Sequence, residues 1–346
     1  GINGNIPLNS RIHSIESVLR DIITPSNTNG NVGSTGSADI THDTTNQRIR
    51  GWAREGNDLF VVRDISDISR LNEITNEAWR QYDDTSASRI SLRVVTENPE
   101  LLYNNVGQLN VEAVIPISGD RFNSLSVVYL GHNDDSRLSN EISYQQQCNA
   151  LENMIDNYEP TPRTRTEIPE GYNIEQLSDP TVRDVEQVVE LMSRAYTRDE
   201  EVIMWYEPTI GNIYNTLRDS VTTIARDQEN NIVSISISEP AEGLRVEGEE
   251  IITYEVSDCA TFPAHRSRGL LQACFEGLLE TPEMSQADMV FSESRIAHTP
   301  INRALMNYGF EFGGILRNHV YIGGDRDLPE NNDIETLVAL YRPGVE

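Results

Sequence analysis

The chain has 346 residues, of which 37% are hydrophobic, and 55 acidic residues against 27 basic ones give a formal net charge of −28. A surface this acidic repels phosphate backbones, which argues against a main role in nucleic-acid binding. No apolar run is long enough to span a bilayer and no leader-like segment opens the chain, so we expect a cytoplasmic protein without a membrane partner. Three cysteines without a C-x-x-C pair and six histidines without metal-ligand spacing predict neither a disulfide framework nor a bound metal.

Every basic residue is an arginine. Ordinary usage would give a chain of this length on the order of 20 lysines. Three explanations remain open: adaptation to high salt, avoidance of self-modification by an enzyme that acylates amines, and an unusual genome or engineering. Only the second explanation bears on chemistry.

The first part of the chain is predicted to contain an N-terminal segment and a small domain. Residues 1–47 comprise a short amphipathic helix over 14–23 and a flexible linker over 26–47 that is rich in Ser, Thr, Asn and Gly. Residues 48–158 form a smaller α/β half-domain, with strands over 58–63, 90–95, 109–117 and 124–130 and helices over 67–81, 98–105 and 143–158. The half-domain contains no nucleophile, phosphate loop or metal cluster, so we expect it to be a structural element or a lid.

The second domain, residues 165–346, follows a proline-bearing hinge at 159–163. Hydrophobic periodicity predicts helices over 182–196, 213–219, 270–279 and 300–308, and strands over 172–176, 222–226, 232–238, 249–262, 288–293, 310–322 and 335–341. These elements describe an α/β fold in which helices flank one sheet.

The most informative pattern is at 255–271, within this second domain. An apolar strand stops at Pro263, a basic turn follows with Arg266, Arg268 and Gly269, and an amphipathic helix begins. The first turn of a helix offers unpaired backbone N–H groups and the positive end of the helix dipole. With two arginines beside it, this turn predicts a phosphate-binding site.

The sequence Thr261-Phe-Pro-Ala-His-Arg-Ser-Arg-Gly-Leu-Leu271 resembles the acetyl-CoA motif of the GNAT superfamily of N-acetyltransferases. More closely, the chain is similar to β-lysine N-acetyltransferases, which finish the compatible solute N6-acetyl-β-lysine. This second resemblance is carried by 127–131, 256–263, Arg295, Asn302, 308–310, 314–318 and 335–342. It implies a GNAT-type mixed, mostly antiparallel sheet flanked by helices, and acetyl-CoA as the cosubstrate.

The resemblance also implies roles for individual residues. The backbone of Cys259, Ala260 and Thr261 would bind the pantetheine amides and the acetyl carbonyl. Asn302 would lie along the pantetheine arm, with a helix cap as its alternative role. The pyrophosphate would be held by Arg266, Ser267, Arg268, Gly269, Leu270 and Leu271.

Acetyl transfer to an amine requires a group that deprotonates an ammonium ion. Asp258 and Glu255 are the carboxylates nearest the acetyl position, and we favour Asp258 as the base or ammonium anchor. Their odd spacing predicts opposite faces of the strand unless a bulge intervenes. Arg295 is a candidate for binding a substrate carboxylate, with an ion pair as the alternative.

Five positions depart from the family pattern, two of them, His319 and Tyr321, where asparagines are typical of β-lysine enzymes. Ser267 replaces the first glycine of the motif, Leu271 replaces its last small residue, and Leu305 stands where the general-acid tyrosine is usual. The leading hypothesis is an acetyl-CoA-dependent N-acetyltransferase of a small cationic amine such as β-lysine, and a homo-oligomer is compatible with it. The alternatives are a catalytically weakened protein of this fold with a binding or structural role in an assembly, and a protein-lysine acetyltransferase.

Overall fold

A computed structural model of the protein describes residues 39–44, 46–138, 141–159, 165–198, 201–202, 204, 206–241, 243–321 and 334–343. The predicted helix over 14–23, most of the predicted linker and the hinge prolines lie outside the described residues.

Nineteen β-strands are present in the described residues. In chain order they are β1 (Asp39–Asp43), β2 (Arg48–Trp52), β3 (Arg54–Glu55), β4 (Asp58–Leu59), β5 (Val61–Val62), β6 (Arg89–Thr96), β7 (Asn110–Pro116), β8 (Ser126–Asn133), β9 (Asn173–Gln176), β10 (Thr197–Arg198), β11 (Glu201–Val202), β12 (Val221–Arg226), β13 (Ile232–Pro240), β14 (Arg245–Val246), β15 (Glu249–Glu250), β16 (Thr253–Thr261), β17 (Met289–Arg295), β18 (Glu311–Tyr321) and β19 (Ile334–Arg342).

The helices in the described residues match most of the predicted ones. They are α1 (Ile68–Asp83), α2 (Asp135–Leu138), α3 (Glu141–Asp156), α4 (Val182–Ala195), α5 (Ile210–Asp219), α6 (Leu270–Leu279), α7 (Pro282–Ser285) and α8 (Thr299–Asn307), with 3-10 turns at Ile65–Asp67, Pro99–Leu101 and Pro263–His265. Side-chain caps start several of them, as where Thr181 and Asp184 form a capping box on α4. Across the described residues, no helix combines the length and apolar character needed to cross a membrane.

One sheet of 13 strands runs through the molecule in the order β1-β2-β6-β8-β7-β18-β19-β17-β16-β13-β12-β9, with β5 added beside β6. Strand β2 is parallel to β6, β5 to β6 and β16 to β17, and the other pairs in this sheet are antiparallel. The predicted class, a mixed and mostly antiparallel sheet flanked by helices, is confirmed. The two predicted domains, however, contribute strands to a single sheet.

The hydrophobic core also crosses the predicted domain boundary. One buried cluster contains Val95 and Tyr129 from the first part of the chain together with Phe291 and Leu337 from the second. Helix α1 packs in a separate cluster on the N-terminal strands, while α6 and α4 pack in two further clusters on the C-terminal strands. The N-terminal part therefore shares its core with the rest of the molecule.

Four sequence predictions are corrected by the structure. The predicted linker over 26–47 includes strand β1, which pairs with β2. The helix predicted over 98–105 is only a 3-10 turn at Pro99–Leu101. The strands predicted over 58–63 and 249–262 are each divided in two, because β4 and β15 pair with short neighbours instead of the main sheet.

Buried arginines stabilise the junction between β7 and β18. The Arg89 side chain is fully buried, forms an ion pair with Glu112 and donates to the backbone carbonyl of Arg317 at 2.9 Å. The equally buried Arg137 donates to the backbone carbonyl of Asn318. Hydrogen bonds and ion pairs to buried guanidinium groups offset the cost of removing them from water, so these contacts hold the two parts of the chain together.

Gly314 forms the single backbone pairing between β18 and β7, opposite Ala113. Its φ is 155°, and a Cβ at this position would lie 2.2 Å from the carbonyl oxygen of Glu112 and 2.5 Å from the Ala113 Cα. Backbone atoms cannot move aside as a flexible side chain can. The close approach of the two strands therefore requires a glycine here.

We predict that Gly314→Ala lowers the free energy of unfolding by about 2 to 4 kcal/mol, because the added methyl group separates the strands at the junction. Thermal and urea unfolding measure the loss. Gly211→Ala on α5 is the matched control: a Cβ added there would meet no atom within 4 Å, and alanine favours a helix, so stability is unchanged or slightly raised. Equal effects of the two substitutions would contradict this account.

Candidate active site

Strands β16 and β17 are paired only at their beginnings. Thr253, Tyr254 and Glu255 of β16 pair in parallel with Met289, Val290 and Phe291 of β17. Beyond this point β16 continues to Thr261 beside β13, and β17 continues to Arg295 beside β19. The backbone of 257–261 is therefore left without a strand partner on its β17 side, and we call this backbone the open edge.

A β-bulge interrupts the pairing of β16 with β13. Ser236 lies opposite Cys259 and Ser238 opposite Val256, so that Ser257 and Asp258 together face the single residue Ile237. An extra residue reverses the alternation of side chains beyond it. The packing reflects this reversal, because Val256 joins the cluster under α6 whereas Ala260 joins the cluster under α4 and α5.

The bulge places Glu255 and Asp258 on the same face of the sheet. Glu239 of β13 is directly opposite Glu255 and accepts a hydrogen bond from Ser257 at 3.0 Å. Burial is the main cause of the raised pKa of both Glu255 and Asp258. The negative charge of Glu239 raises the pKa of each of them further. The sequence spacing alone predicted opposite faces. A bulge was the stated exception to that prediction, and the structure contains one between Val256 and Cys259.

Asp258 is 6% exposed, and the Tyr206 hydroxyl donates to its Oδ2 at 2.8 Å. Burial raises the pKa of Asp258 to about 6, with the Tyr206 hydrogen bond and the Arg295 charge acting in the opposite direction. For Glu255, burial and the negative charge of Glu293 raise the pKa. A strongly perturbed carboxylate beside an open strand edge is a candidate functional group.

Side chains from other elements contact the open edge. The Tyr196 hydroxyl, at the end of α4, donates to the carbonyl of Cys259 at 2.8 Å, and the Arg266 Nε donates to the carbonyl of Thr261 at 3.2 Å. Burial raises the pKa of the Cys259 thiol to about 11, so the thiol is neutral near pH 7. Cys259 and Thr261 thus offer backbone groups and no thiolate nucleophile.

The turn after β16 leads directly into α6. Ser267 and Gly269 both have left-handed backbone conformations, with φ values of 61° and 75°. Gly269 is the N-cap residue of the ten-residue helix α6, and no side chain caps the helix there. The exposed Arg266 and Arg268 lie in the same turn. An uncapped helix N-terminus beside two guanidinium groups is suited to an anion such as a pyrophosphate.

Conformation explains why glycine is usual at the two turn positions. A left-handed φ costs a residue with a side chain roughly 1 to 2 kcal/mol, and Ser267 adopts it nevertheless. Leu270, the first residue of α6, is buried, and Leu271 is half-buried. The six predicted pyrophosphate residues are thus placed on one turn and the first turn of α6.

The region of the usual general acid is closed by packing. Leu305 is fully buried in the core. The nearby Tyr308 is 8% exposed, and its hydroxyl donates to the backbone carbonyl of Gln272 at 2.9 Å. The Leu305 side chain has no proton to donate, and the Tyr308 hydroxyl is engaged with the Gln272 carbonyl and with the Thr166 hydroxyl.

Asn302 is fully buried, and its amide is engaged with the connection between β17 and α8. Its Nδ2 donates to the carbonyls of Arg295 and Ile296 at 3.0 and 3.2 Å, and its Oδ1 contacts the Ser294 hydroxyl. The side chain therefore fixes the start of the helix. Its contact with a pantetheine arm stays a prediction.

Two ion pairs lie near the carboxylates. Arg295 Nη1 is 3.5 Å from Oε1 of the fully buried Glu335, which corresponds to the alternative role that the sequence allowed for Arg295. Glu293 pairs with Arg93 from the N-terminal part, and the Arg93 guanidinium lies 5.0 Å from the Tyr129 ring centroid. Arg93 and Glu293 thereby bring the N-terminal part of the chain up to the site.

Sequence reasoning assigned no role to Tyr196, Tyr206, Glu239 or Arg93. Glu239 could have been found, because it directly follows the predicted strand 232–238, and the observed strand includes it opposite Glu255. Tyr206 is 52 residues from Asp258, and Arg93 is 200 residues from Glu293. No local pattern signals contacts at such separations.

Within the described residues, no group of three or more His, Cys, Asp or Glu side chains is arranged to hold a metal ion.

No protein-family model and no curated protein sequence matches the chain. Among solved structures, it is similar to the ribosomal-protein-S18-alanine N-acetyltransferase of Escherichia coli, with 14% identity, a TM-score of 0.37 and coverage of 51% of this chain and 96% of the other. A GNAT superfamily phosphinothricin acetyltransferase of Sinorhizobium meliloti, in complex with acetyl-CoA, has 12% identity, a TM-score of 0.39 and coverage of 50% and 88%. A diaminobutyrate acetyltransferase of Paenibacillus lautus, in complex with its substrate and coenzyme A, has 16% identity, a TM-score of 0.35 and coverage of 49% and 95%.

We predict that Asp258→Asn stabilises the protein at pH 7 and not at pH 4. The folded-state pKa of Asp258 is raised from 3.8 to about 6, so the contribution of the protonated carboxyl to stability is present below pH 4 and is lost as pH rises through 6. The shift corresponds to on the order of 3 kcal/mol. Thermal unfolding across pH 4 to 7 measures the difference. Asp120→Asn, at an exposed carboxylate, is the control and should show no such trend.

Proposed function

We propose that the protein is an acetyl-CoA-dependent N-acetyltransferase that acts on a small cationic amine. The observation that carries this proposal is the continuity of the open edge with the turn at 266–269 and the N-terminus of α6. Acetyl-CoA is a linear molecule with a thioester at one end and a pyrophosphate towards the other. The thioester would lie at the open edge and the pyrophosphate at the turn and helix N-terminus, which follow each other in the same order along the chain.

The open edge supports binding of the acyl end of the cofactor. Pantetheine contains two amides, whose carbonyls can accept hydrogen bonds from backbone N–H groups of this edge as an added strand would. The carbonyls of Cys259 and Thr261 already accept from Tyr196 and Arg266. A backbone N–H at the same edge would stabilise the oxyanion that forms on the thioester carbonyl. The uncapped helix and Arg266 would hold the pyrophosphate.

Asp258 is proposed to receive the proton of the acceptor ammonium. With its pKa raised to about 6 by burial, its carboxylate is ionised at neutral pH and more basic than an exposed aspartate. The neutral amine then attacks the thioester carbonyl and the C–N bond forms. The cationic nitrogen of the adduct loses its second proton to solvent, and the C–S bond breaks with the electron pair leaving on the thiolate. Near pH 7 an aliphatic thiolate of coenzyme A takes its proton from solvent, so a buried tyrosine acid is dispensable for the overall reaction.

The charge of the site favours a cationic acceptor. Asp258 and Glu239 lie on one face beside the open edge and supply its negative charge. Glu255 lies on the same face, but burial and the charge of Glu293 raise its pKa to about 8, so it is mainly protonated near pH 7. An ammonium group is attracted to such a surface and an anionic acceptor is repelled. We propose β-lysine as the acceptor because of the sequence resemblance, and its two amino groups suit this charge.

A second candidate function is a protein of this fold that binds a partner and has lost efficient catalysis. Specific observations favour it: the general-acid position is the fully buried Leu305, and the Asn302 amide is bonded to backbone carbonyls. The two candidates differ in whether acetyl-CoA is bound and turned over. The absence of lysine, which is the only support for a protein-lysine acetyltransferase, gives no geometric evidence for that function.

Calorimetry with acetyl-CoA at low and high salt tests the cofactor assignment. We predict that the protein binds acetyl-CoA, and that Arg266→Ala weakens coenzyme A binding by about tenfold, or ~1.4 kcal/mol, while pantetheine binding is unchanged. Arg80→Ala on α1, where the side chain is 69% exposed, removes the same charge far from the turn and should change neither affinity. No heat and no thermal shift at either salt concentration would refute the enzyme hypothesis. Equal losses for coenzyme A and pantetheine would contradict the pyrophosphate role of Arg266.

Steady-state kinetics test the role of Asp258. We predict that Asp258→Asn lowers kcat by more than about tenfold and leaves the affinity for acetyl-CoA nearly unchanged, because the carboxylate acts on the amine. The rate is measured with β-lysine as acceptor by release of free thiol. A collapse of cofactor affinity in the variant would instead identify Asp258 as a structural residue of the bulge.

A further inference from the structure

Tyr206 contacts the carboxylate that the proposed reaction depends on. Its hydroxyl lies 2.8 Å from Oδ2 of Asp258, in the segment that precedes α5. Its own pKa is raised far above 10 by burial and by the negative charge of Asp258, so the hydroxyl keeps its proton at every working pH. Tyr206 is therefore a permanent hydrogen-bond donor to Asp258.

Charged and titratable groups face Asp258 from each element packed around it. Glu239 approaches from β13, Arg295 from β17, Tyr196 from the end of α4 and Tyr206 from before α5. Glu239 disfavours the carboxylate, while Arg295 and the Tyr206 hydrogen bond favour it. Arg295 Nη1 lies 3.5 Å from Oε1 of Glu335, whereas the Tyr206 hydroxyl donates a hydrogen bond to the Asp258 carboxylate itself.

We propose that Tyr206 is a positioning residue of the acetyl transfer: its hydroxyl holds Oδ2 of Asp258 and leaves Oδ1 to receive the proton of the acceptor ammonium. This inference rests on the proposed function. One N–H proton passes from the ammonium to Oδ1, and the nitrogen lone pair that is freed forms the C–N bond to the acetyl carbonyl. The second N–H proton is lost to solvent, and the C–S bond breaks with its electron pair leaving on the coenzyme A thiolate. The proton on Oδ1 then leaves to solvent when the product departs, which restores the carboxylate.

The hydrogen bond has a measurable electrostatic consequence. A donor to the ionised form stabilises that form, so Tyr206 holds the pKa of Asp258 below the value that burial alone would give. Loss of the hydroxyl should raise the pKa by about one to two pH units, since a hydrogen bond to a charged group has that strength. The acidic limb of the rate profile should move by the same amount in the same direction.

The test combines a titration with kinetics on Tyr206→Phe, which keeps the ring and removes the hydroxyl. Protein labelled with carboxyl-13C aspartate is titrated by NMR, and the Asp258 resonance is identified by its loss in Asp258→Asn. The pH dependence of kcat/KM is measured with acetyl-CoA and β-lysine. Tyr214→Phe on α5 is the matched control, because the Tyr214 ring lies beside Arg218 and should leave both midpoints where they are.

A parallel rise of the Asp258 midpoint and of the acidic limb in Tyr206→Phe supports the inference. An unchanged midpoint overturns it, and so does a raised midpoint with an unmoved acidic limb, which would make the hydrogen bond purely structural. Wild-type protein that transfers no acetyl group would overturn the proposed function and the inference together. That failure is distinguishable, because it is seen without any substitution.

Discussion

The bulge at Ser257 and Asp258 is the feature on which the rest of the candidate site depends. Two residues of β16 face one residue of β13, and the side chains beyond the bulge change faces as a result. Without it, Asp258 would point into the cluster under α6, away from Glu239 and Tyr206. The bulge thus sets which carboxylates meet, and it lies where β16 turns away from β17.

The grouping of Glu239, Glu255 and Asp258 on one face of the sheet is an unfavourable arrangement that the surrounding structure holds in place. Burial raises the pKa of Asp258 and Glu255, and the negative charges of Glu293, for Glu255, and of Glu239, for both, add to it. The fold therefore keeps these groups where their charged forms are destabilised. Tyr206, Arg295 and Arg93 offset part of this. Residues held at a cost in stability are typical of functional sites, where the same perturbation makes a carboxylate a better base.

The continuous sheet gives the N-terminal part a larger role than that of a separate lid. Arg93 reaches from β6 to Glu293 on β17, although β8, β7, β18 and β19 lie between these strands in the sheet order. Such a contact requires the sheet to curve so that its two parts face each other across a shared core. The buried arginines at the junction and the close approach at Gly314 hold this curvature.

Local physics made several elements readable in advance. Helix α6 begins and ends at the predicted residues, because its apolar period and the left-handed turn at Gly269 are encoded within a few positions. Strand β1 was missed, since its sequence, Asp-Ile-Thr-His-Asp, is polar and acquires its structure only by pairing with β2. The helix predicted over 98–105 failed because residues 102–105 form turns instead of continuing the 3-10 segment.

The sequence by itself therefore determined the strand, turn and helix to which we assign phosphate binding, the mixed α/β class, and the identity of the carboxylates near the open edge. The tertiary structure decided their arrangement: the register that creates the bulge, the pairing of Glu239 with Glu255, and the approach of Tyr206 and Arg93. The reason is one of range. Periodicity and turn conformation are set by neighbouring residues, whereas register and side-chain contacts between distant segments are set by how the whole core packs.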